Sequence, residues 1–292
     1  MDFDDRSDFE TGLTLNIDAD TIVYAVSCVY TEDTDHDREM MSRMMRTRIG
    51  RLQTAAEADE VVCFLTTRTN FRDKLVNDYK ANRASTERPV NLAWGKQWLT
   101  KNYTCIYLDQ MEADDLLGIH SVENTIIWSL DKDLRQIPGL HLDEATQRVR
   151  TVTEEGTLVK NGKKYYFDGM IGFYFQLLTG DTADYIIGCG KREECVYKSG
   201  AKAGETYRKR IGIGPGKAFT ILTESPHPFL EVCDQYAQLH GEGWITELET
   251  QANLLWMVRE MVDNNIRRWT YDGREEWMDV QTGEIHETAQ SW

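Results

Sequence analysis

Thr125-Ile126-Ile127-Trp128-Ser129-Leu130-Asp131-Lys132-Asp133 is the stretch that decides the fold of this 292-residue chain. Its first six residues are an apolar run too short for an independent helix, so they read as a buried strand. That strand runs directly into two carboxylates one residue apart. Two further segments repeat the motif of tightly spaced acids beside apolar residues. Glu112-Ala113-Asp114-Asp115 lies between Met111 and Leu116-Leu117-Gly118-Ile119, and Asp181-Thr182-Ala183-Asp184 follows Gly180. Carboxylates packed this closely repel one another and resist ionisation. A divalent cation removes that conflict, and all-oxygen ligands favour Mg²⁺, with Mn²⁺ as a substitute. The plain alternative is that each acid caps a helix N-terminus; three groups in similar settings favour a metal site.

The elements to either side extend the pattern. Leu13-Thr14-Leu15-Asn16-Ile17 alternates and ends at Asp18, a first strand that delivers an acid, and a helix begins near Thr21. Residues 38–57 have helical composition. Glu60 to Leu65 reads as a second strand, Tyr103 to Leu108 as a third and Asn124 to Leu130 as a fourth, with helical patterns between them. This alternation predicts an α/β fold with a largely parallel central sheet flanked by helices. Ligand sites in such sheets form beyond the carboxyl ends of the strands, where Asp18 and Asp131 stand. Glu112, Asp114 and Asp115 open the helix after the third strand, with Glu112 and Asp115 on one face. From about residue 169 the chain reads as mostly helical, over Met170–Leu178, Lys217–Leu222, Phe229–Leu239 and Thr246–Val262. The expected division is an α/β core over 1–168 and a helical region over 169–292.

The formal charge of −16 excludes nonspecific adhesion to nucleic acid by net charge. Local charge differs. Arg68, Arg72, Lys74, Lys80, Arg83 and Arg88 form one basic stretch, and Lys191, Arg192, Lys198, Lys202, Arg208, Lys209, Arg210 and Lys217 a second. Both are expected to be contact surfaces. Six cysteines, at 28, 63, 105, 189, 195 and 233, lie mostly among apolar neighbours and read as reduced thiols, without the spacing of a zinc site. The acidic run from Asp2 to Glu10 lacks the basic start and apolar stretch of a signal peptide, and no segment is apolar enough to span a bilayer. A cytoplasmic protein with no membrane partner, and a monomer, is expected.

Two segments carry nucleic-acid chemistry. Tyr79-Lys80-Ala81-Asn82-Arg83 interleaves an aromatic ring with cations that would share a helical face, able to hold a phosphate or stack a base. A solvated helix is the alternative. Ile211-Gly212-Ile213-Gly214-Pro215-Gly216-Lys217-Ala218 sets glycines 212, 214 and 216 before a helix, where tight turns and free N–H groups can grip a DNA backbone without reading bases. The alternative there is a structural turn.

Taken together these motifs resemble the 5′-nuclease, or flap endonuclease, superfamily, and within it the phage replication 5′→3′ exonucleases, over about Asp18 to Ala218. The family's first-strand acid matches Asp18. Its Glu-Ala-Asp-Asp motif matches Glu112 to Asp115, its Asp-x-Asp matches Asp131 and Asp133, and its Gly-Asp-x-x-Asp matches Gly180 to Asp184. Its arch motif matches Tyr79 to Arg83, within an arch at about 68–101, and its helix-hairpin-helix falls at about 181–222. The resemblance implies a PIN-like core with a helical arch, two or more Mg²⁺ ions on Asp18, Glu112, Asp114, Asp115, Asp131, Asp133, Asp181 and Asp184, and K⁺ at the helix-hairpin-helix. It implies catalytic roles for Lys80 and Arg83 and DNA contacts by Tyr79, Lys80, Arg83, Gly212, Gly214, Gly216 and Lys217. The substrate would be duplex DNA with 5′ ends or flaps, or an RNA:DNA hybrid, alongside replication proteins as partners. Three departures stand out. Leu65-Thr66-Thr67 replaces a family acid after the second strand, Tyr24-Ala25-Val26 lacks a first-helix arginine, and a basic insertion separates Asp184 from Gly212. The rival readings are a PIN-type ribonuclease and a non-catalytic DNA-structure-binding protein of the same fold.

Overall fold

The computed structural model describes residues 12–83 and 86–287, so the acidic run at 2–10 lies outside the described residues. The chain divides into two compact units. One comprises Met1–Phe71, Thr86–Thr153 and Met257–Asn264, and the other Arg72–Ser85, Glu154–Trp256 and Asn265–Trp292.

The first unit is built on β1 (Thr14–Asp18), α1 (Ala19–Ser27), α2 (Asp35–Ala56), β2 (Glu60–Phe64), α3 (Leu92–Asn102), β3 (Thr104–Ile106), α4 (Ala113–Ile119), β4 (Thr125–Trp128), β5 (Gly139–Asp143) and β6 (Arg148–Val152). The strands pair in the order β3-β2-β1-β4-β5-β6, all parallel except the antiparallel β6 at the edge. The mixed, mostly parallel sheet flanked by helices is the α/β architecture that the apolar runs predict. β1 and β4 are central, which explains why β4 reads as a near-continuous apolar segment and why even Asn16 of the alternating β1 is buried. Leu15, Ile17 and Trp128 are fully buried with Ile22, Met41, Met45 and Ile49 of the flanking helices. Because β1 pairs with β2 on one side and β4 on the other, the strand order reverses between β1 and β4. In an open α/β sheet that reversal opens a crevice beyond the carboxyl ends of the two strands.

The second unit is less helical than the sequence suggests. Its helices are α5 (Gly169–Thr179), α6 (Pro215–Glu224), α7 (Pro228–His240) and α8 (Trp244–Leu255). Among them stand the hairpins β7 (Leu158–Asn161) with β8 (Lys164–Phe167), and β9 (Gly190–Val196) with β10 (Thr206–Gly212). β11 (Met261–Val262) belongs to the first unit, and β12 (Asn265–Arg267), β13 (Trp277–Asp279) and β14 (Ile285–His286) form a further small sheet in the second. α8 stops at Leu255, short of the expected Val262. The unit division falls after Thr153, so β7 and β8 join the second unit although the sequence assigns them to the core. The basic insertion is the β9–β10 hairpin, whose charged, largely exposed strands lack a buried alternating face. Phe173, Tyr236, Leu248 and Trp256 centre the second core, and Phe173 meets the Trp256 ring edge-on at 5.1 Å.

Candidate metal centre

The crevice at the strand reversal is organised by Asp18, the last residue of β1. Its carboxylate caps α1, accepting from the Thr21 backbone N–H at 3.4 Å and from the Thr21 hydroxyl. Ser129, just past β4, donates to the same carboxylate at 2.8 Å, and its Oγ accepts the Asp131 N–H at 2.9 Å. One hydroxyl therefore ties the acid of the first strand to the acids after the fourth. Burial pushes the Asp18 carboxyl up to about 6, partly offset by the Thr21 hydrogen bond and reinforced by the charge of Asp20.

The Asp131-Lys-Asp133 motif folds as a tight turn. Asp131 is exposed and accepts the Asp133 N–H at 2.9 Å, while Asp133 is buried, with Lys132 Nζ 2.7 Å from its carboxylate. Glu112, Asp114 and Asp115 begin α4 as expected. Asp115 is fully buried and accepts the Val258 N–H at 3.1 Å. Glu112 is the N-cap residue of α4 yet makes no capping bond. Thr66 Oγ1 takes the Ala113 N–H instead, at 2.9 Å. Thr66 also donates its own N–H to Asp20 at 2.9 Å, and Lys96 Nζ lies 2.6 Å from Asp20 and 2.8 Å from the Thr66 carbonyl. The departure at Leu65-Thr66-Thr67 thus has a structural counterpart: a carboxylate from the first turn of α1 meets the end of β2. No short-range pattern announces this meeting, and the sequence reading overlooked both Asp20 and Lys96.

Among the described residues no group of three or more His, Cys, Asp or Glu side chains is drawn together closely enough to hold a metal ion. Asp18, Asp115, Asp131 and Asp133 have hydroxyls, amides and an ammonium as side-chain partners, an arrangement that keeps like charges apart. The donor set nonetheless fits a hard divalent cation. Every candidate ligand in the first unit is a carboxylate oxygen, and the buried Asp18 is held by neutral donors, so an adjacent positive charge would favour its ionised form.

The remaining candidates belong to the second unit. α5 ends at Gly180, whose φ of 69° places any Cβ 2.4 Å from the Ile186 carbonyl oxygen, so only glycine opens this loop. Asp181 is buried and accepts the Ala183 N–H at 2.7 Å. Asp184 accepts the Tyr79 hydroxyl at 3.3 Å, and its carboxylate pairs with Lys80 Nζ at 3.4 Å and with Arg83. Lys80 also donates its N–H to the Asp184 carbonyl at 3.1 Å, and Asn82 reaches the carbonyls of Thr182 and Ala183. Tyr79 to Arg83 therefore clamp the Gly-Asp-x-x-Asp loop. They do so from turns and a 3₁₀ segment (Ala81–Arg83), with Lys80 at φ 52°, rather than from the helical face expected of them.

The two basic stretches also divide. Arg72 is buried and donates to the carbonyls of Leu254 at 3.0 Å and Trp256 at 2.7 Å, and Lys74 is tied to the Val280 and Gln281 carbonyls. Arg192 pairs with Asp78 at 2.7 Å, and Arg210 donates to the carbonyls of Ile187, Ile213 and Leu178. These four cations hold the fold. Lys217 is exposed in the first turn of α6. Of the three glycines before it, Gly212 is required by close approach, since a Cβ would lie 2.5 Å from the Cys189 carbonyl oxygen. Gly214 caps α6 at φ −86° and Gly216 lies within it, so neither supplies a left-handed turn.

Residues 17–162 match the family described as 5′-3′ exonuclease, N-terminal resolvase-like domain, and the chain belongs to that family. The match contains every candidate carboxylate of the first unit together with Lys80 and Arg83. Asp181, Asp184 and Gly212 to Lys217 lie beyond it. The fold is also similar to that of bacteriophage T5 5′-exonuclease with bound zinc, at 16% identity and TM-score 0.52, covering 84% of this chain and 86% of that one. The bacteriophage T5 flap endonuclease, in a pseudo-enzyme–product complex with DNA and metal ions, gives 16% identity and TM-score 0.50 over 83% and 85% of the two chains. Among curated protein sequences none matches. No described helix is long and apolar enough to cross a membrane.

Proposed function

We propose that the chain is a Mg²⁺-dependent 5′→3′ exodeoxyribonuclease that hydrolyses phosphodiesters at the 5′ ends and flaps of duplex DNA, with removal of RNA from hybrids, in phage replication or recombination. The observation that carries the reading is the Asp18–Ser129–Asp131 linkage at the strand reversal, in a chain of the 5′-3′ exonuclease family. Asp18, Glu112, Asp114, Asp115, Asp131 and Asp133 of the first unit would hold cations, as would Asp181 and Asp184 of the second; Mn²⁺ would substitute. When bound, the cations supply positive charge at the scissile phosphate and a water acidic enough to attack at neutral pH.

The chain's own groups do the rest. Ser129 and Thr21 orient the Asp18 carboxylate, and Thr66 caps α4 so that Glu112 is not engaged in capping it. Lys80 and Arg83 exchange Asp184 for the phosphate, where their charge offsets the charge developing during cleavage. Tyr79 is buried beside the Lys80 ammonium, so its part is to support the clamp through its hydroxyl bond to Asp184 rather than to stack a base. Gly212, whose lack of a side chain lets the hairpin close on the Cys189 carbonyl, would present the turn to a DNA strand, and Gly214, Gly216 and Lys217 would add amide and ammonium donors at the start of α6, a turn that would also hold K⁺. The protein would act as a monomer in the host cytoplasm beside replication proteins.

The test is duplex DNA labelled at either the 5′ or the 3′ end, incubated with Mg²⁺ or with EDTA. Immediate release of the 5′ label in Mg²⁺ alone is expected. Retention of both labels despite tight binding would instead make the protein a non-catalytic DNA-structure binder.

A further inference from the structure

Lys96 stands outside every role assigned so far. It lies on α3, and its ammonium reaches the carboxyl end of β2, 2.6 Å from the Asp20 carboxylate and 2.8 Å from the Thr66 carbonyl. The Asp20 and Lys96 side chains are each about a quarter exposed, at 27% and 28%. Asp20 sits in the first turn of α1, near enough to Asp18 for the two carboxylates to feel one another's charge. It is fixed there by the Thr66 N–H. Thr66 in turn holds the first N–H of α4 through its hydroxyl. A single chain of contacts therefore runs from Lys96 through Asp20 and Thr66 to the helix that carries Glu112, Asp114 and Asp115.

We propose that Lys96 is a resident cation of the carboxyl edge, a positioning residue that withholds Asp20 from bound divalent cations and fixes Thr66 under α4. The inference rests on the metal reading of the site. Its content is that one carboxylate at this edge is neutralised by the protein itself. An ammonium held by a carboxylate and a carbonyl stays in place at every cation concentration, whereas a metal ion comes and goes. Removing the Lys96 charge therefore uncovers a carboxylate beside Asp18 and strengthens cation binding, the reverse of what loss of a supporting residue does.

The test is Mn²⁺ binding to the full chain by titration calorimetry, without DNA. Lys96→Gln can keep a hydrogen bond to the Thr66 carbonyl while removing the charge, and Lys96→Met removes both. Either variant is expected to bind Mn²⁺ about tenfold more tightly, or to take up one more ion, because an opposite charge has been taken from a neighbouring carboxylate. Lys96→Arg is expected to match the wild type, and Lys96→Gln with Asp20→Asn to return to it. Unchanged or weaker Mn²⁺ binding by both Lys96→Gln and Lys96→Met, in a chain whose wild type binds Mn²⁺, overturns the inference alone. Absence of Mn²⁺ binding by the wild type overturns the metal reading and the inference with it.

Discussion

Asp18 closes β1 and Asp184 lies in the loop after α5, and the two units hold them in opposite ways. Asp18 receives hydrogen bonds from the hydroxyls of Thr21 and Ser129 and from a backbone amide, all neutral donors. Asp184 receives Lys80, Arg83 and the Tyr79 hydroxyl, so its charge is compensated by side chains. A carboxylate buried among neutral donors gains from any cation brought near it, whereas one already paired must give up its partners first. The first unit is therefore expected to hold the stronger cation-binding acid, while Asp184 in the second is already paired with Lys80 and Arg83. Asp20, paired with Lys96, resembles the second kind although it lies in the first unit.

The largest expected effect separates the two acids. Asp18→Asn keeps the size of the side chain and removes its charge, so single-turnover cleavage in Mg²⁺ should fall by about 10²–10³-fold or more, the scale of losing a preorganised electrostatic contact. Next comes stability. The Asp18 carboxyl is raised from its ordinary value of 3.8 to about 6, so the native chain binds that proton more tightly than the unfolded chain does. Native stability from this group is fully present below the ordinary value and is lost as pH rises through about 6. In EDTA, denaturant unfolding of Asp18→Asn should therefore show a growing advantage over the wild type between these values, reaching at most about 3 kcal/mol above them. Added Mg²⁺ should shrink it, because only the wild type is then stabilised by binding.

A smaller effect is expected for Asp184→Asn. Cleavage should fall by about tenfold, since Lys80 and Arg83 remain available to the phosphate while the clamp that orders them loosens. Comparable losses for Asp18→Asn and Asp184→Asn would erase the contrast between the units. The smallest effect is expected on the second unit's surface. Lys217→Ala should reduce the slope of log affinity against log salt for duplex binding by about one, with cleavage of bound substrate unchanged. An unchanged slope would remove Lys217 from the DNA interface.

What the sequence made legible follows from burial. β1 and β4 are central and parallel, so the alternation of β1 and the apolar run of β4 stand out, and Asp18 and Asp131, at and just past their ends, stand where the strand order reverses. α1, α2 and α7 were equally plain because one face of each is apolar, and α5 because it is apolar nearly all round. β5 and β6 were missed because His141, Asp143, Arg148 and Arg150 interrupt short strands toward the sheet edge. The β9–β10 hairpin was missed because Lys191, Glu193, Lys209 and Arg210 carry no apolar alternation. Charge alone also could not tell Lys217, which faces solvent, from Arg72 and Arg210, whose guanidinium groups satisfy backbone carbonyls. Asp20 and Lys96 left no local signal at all, because Thr66, which both contact, is brought to them only by the pairing of β1 with β2 and the docking of α3.

The most direct measurement of the central claim is Mn²⁺ titration of the wild type, Asp18→Asn and Asp184→Asn, followed by cleavage of 5′-labelled duplex by the same preparations. Asp18→Asn is expected to lose the tightest Mn²⁺ site together with cleavage, while Asp184→Asn keeps that site and part of the activity. Retention of the tightest site and of 5′-label release by Asp18→Asn would contradict that claim.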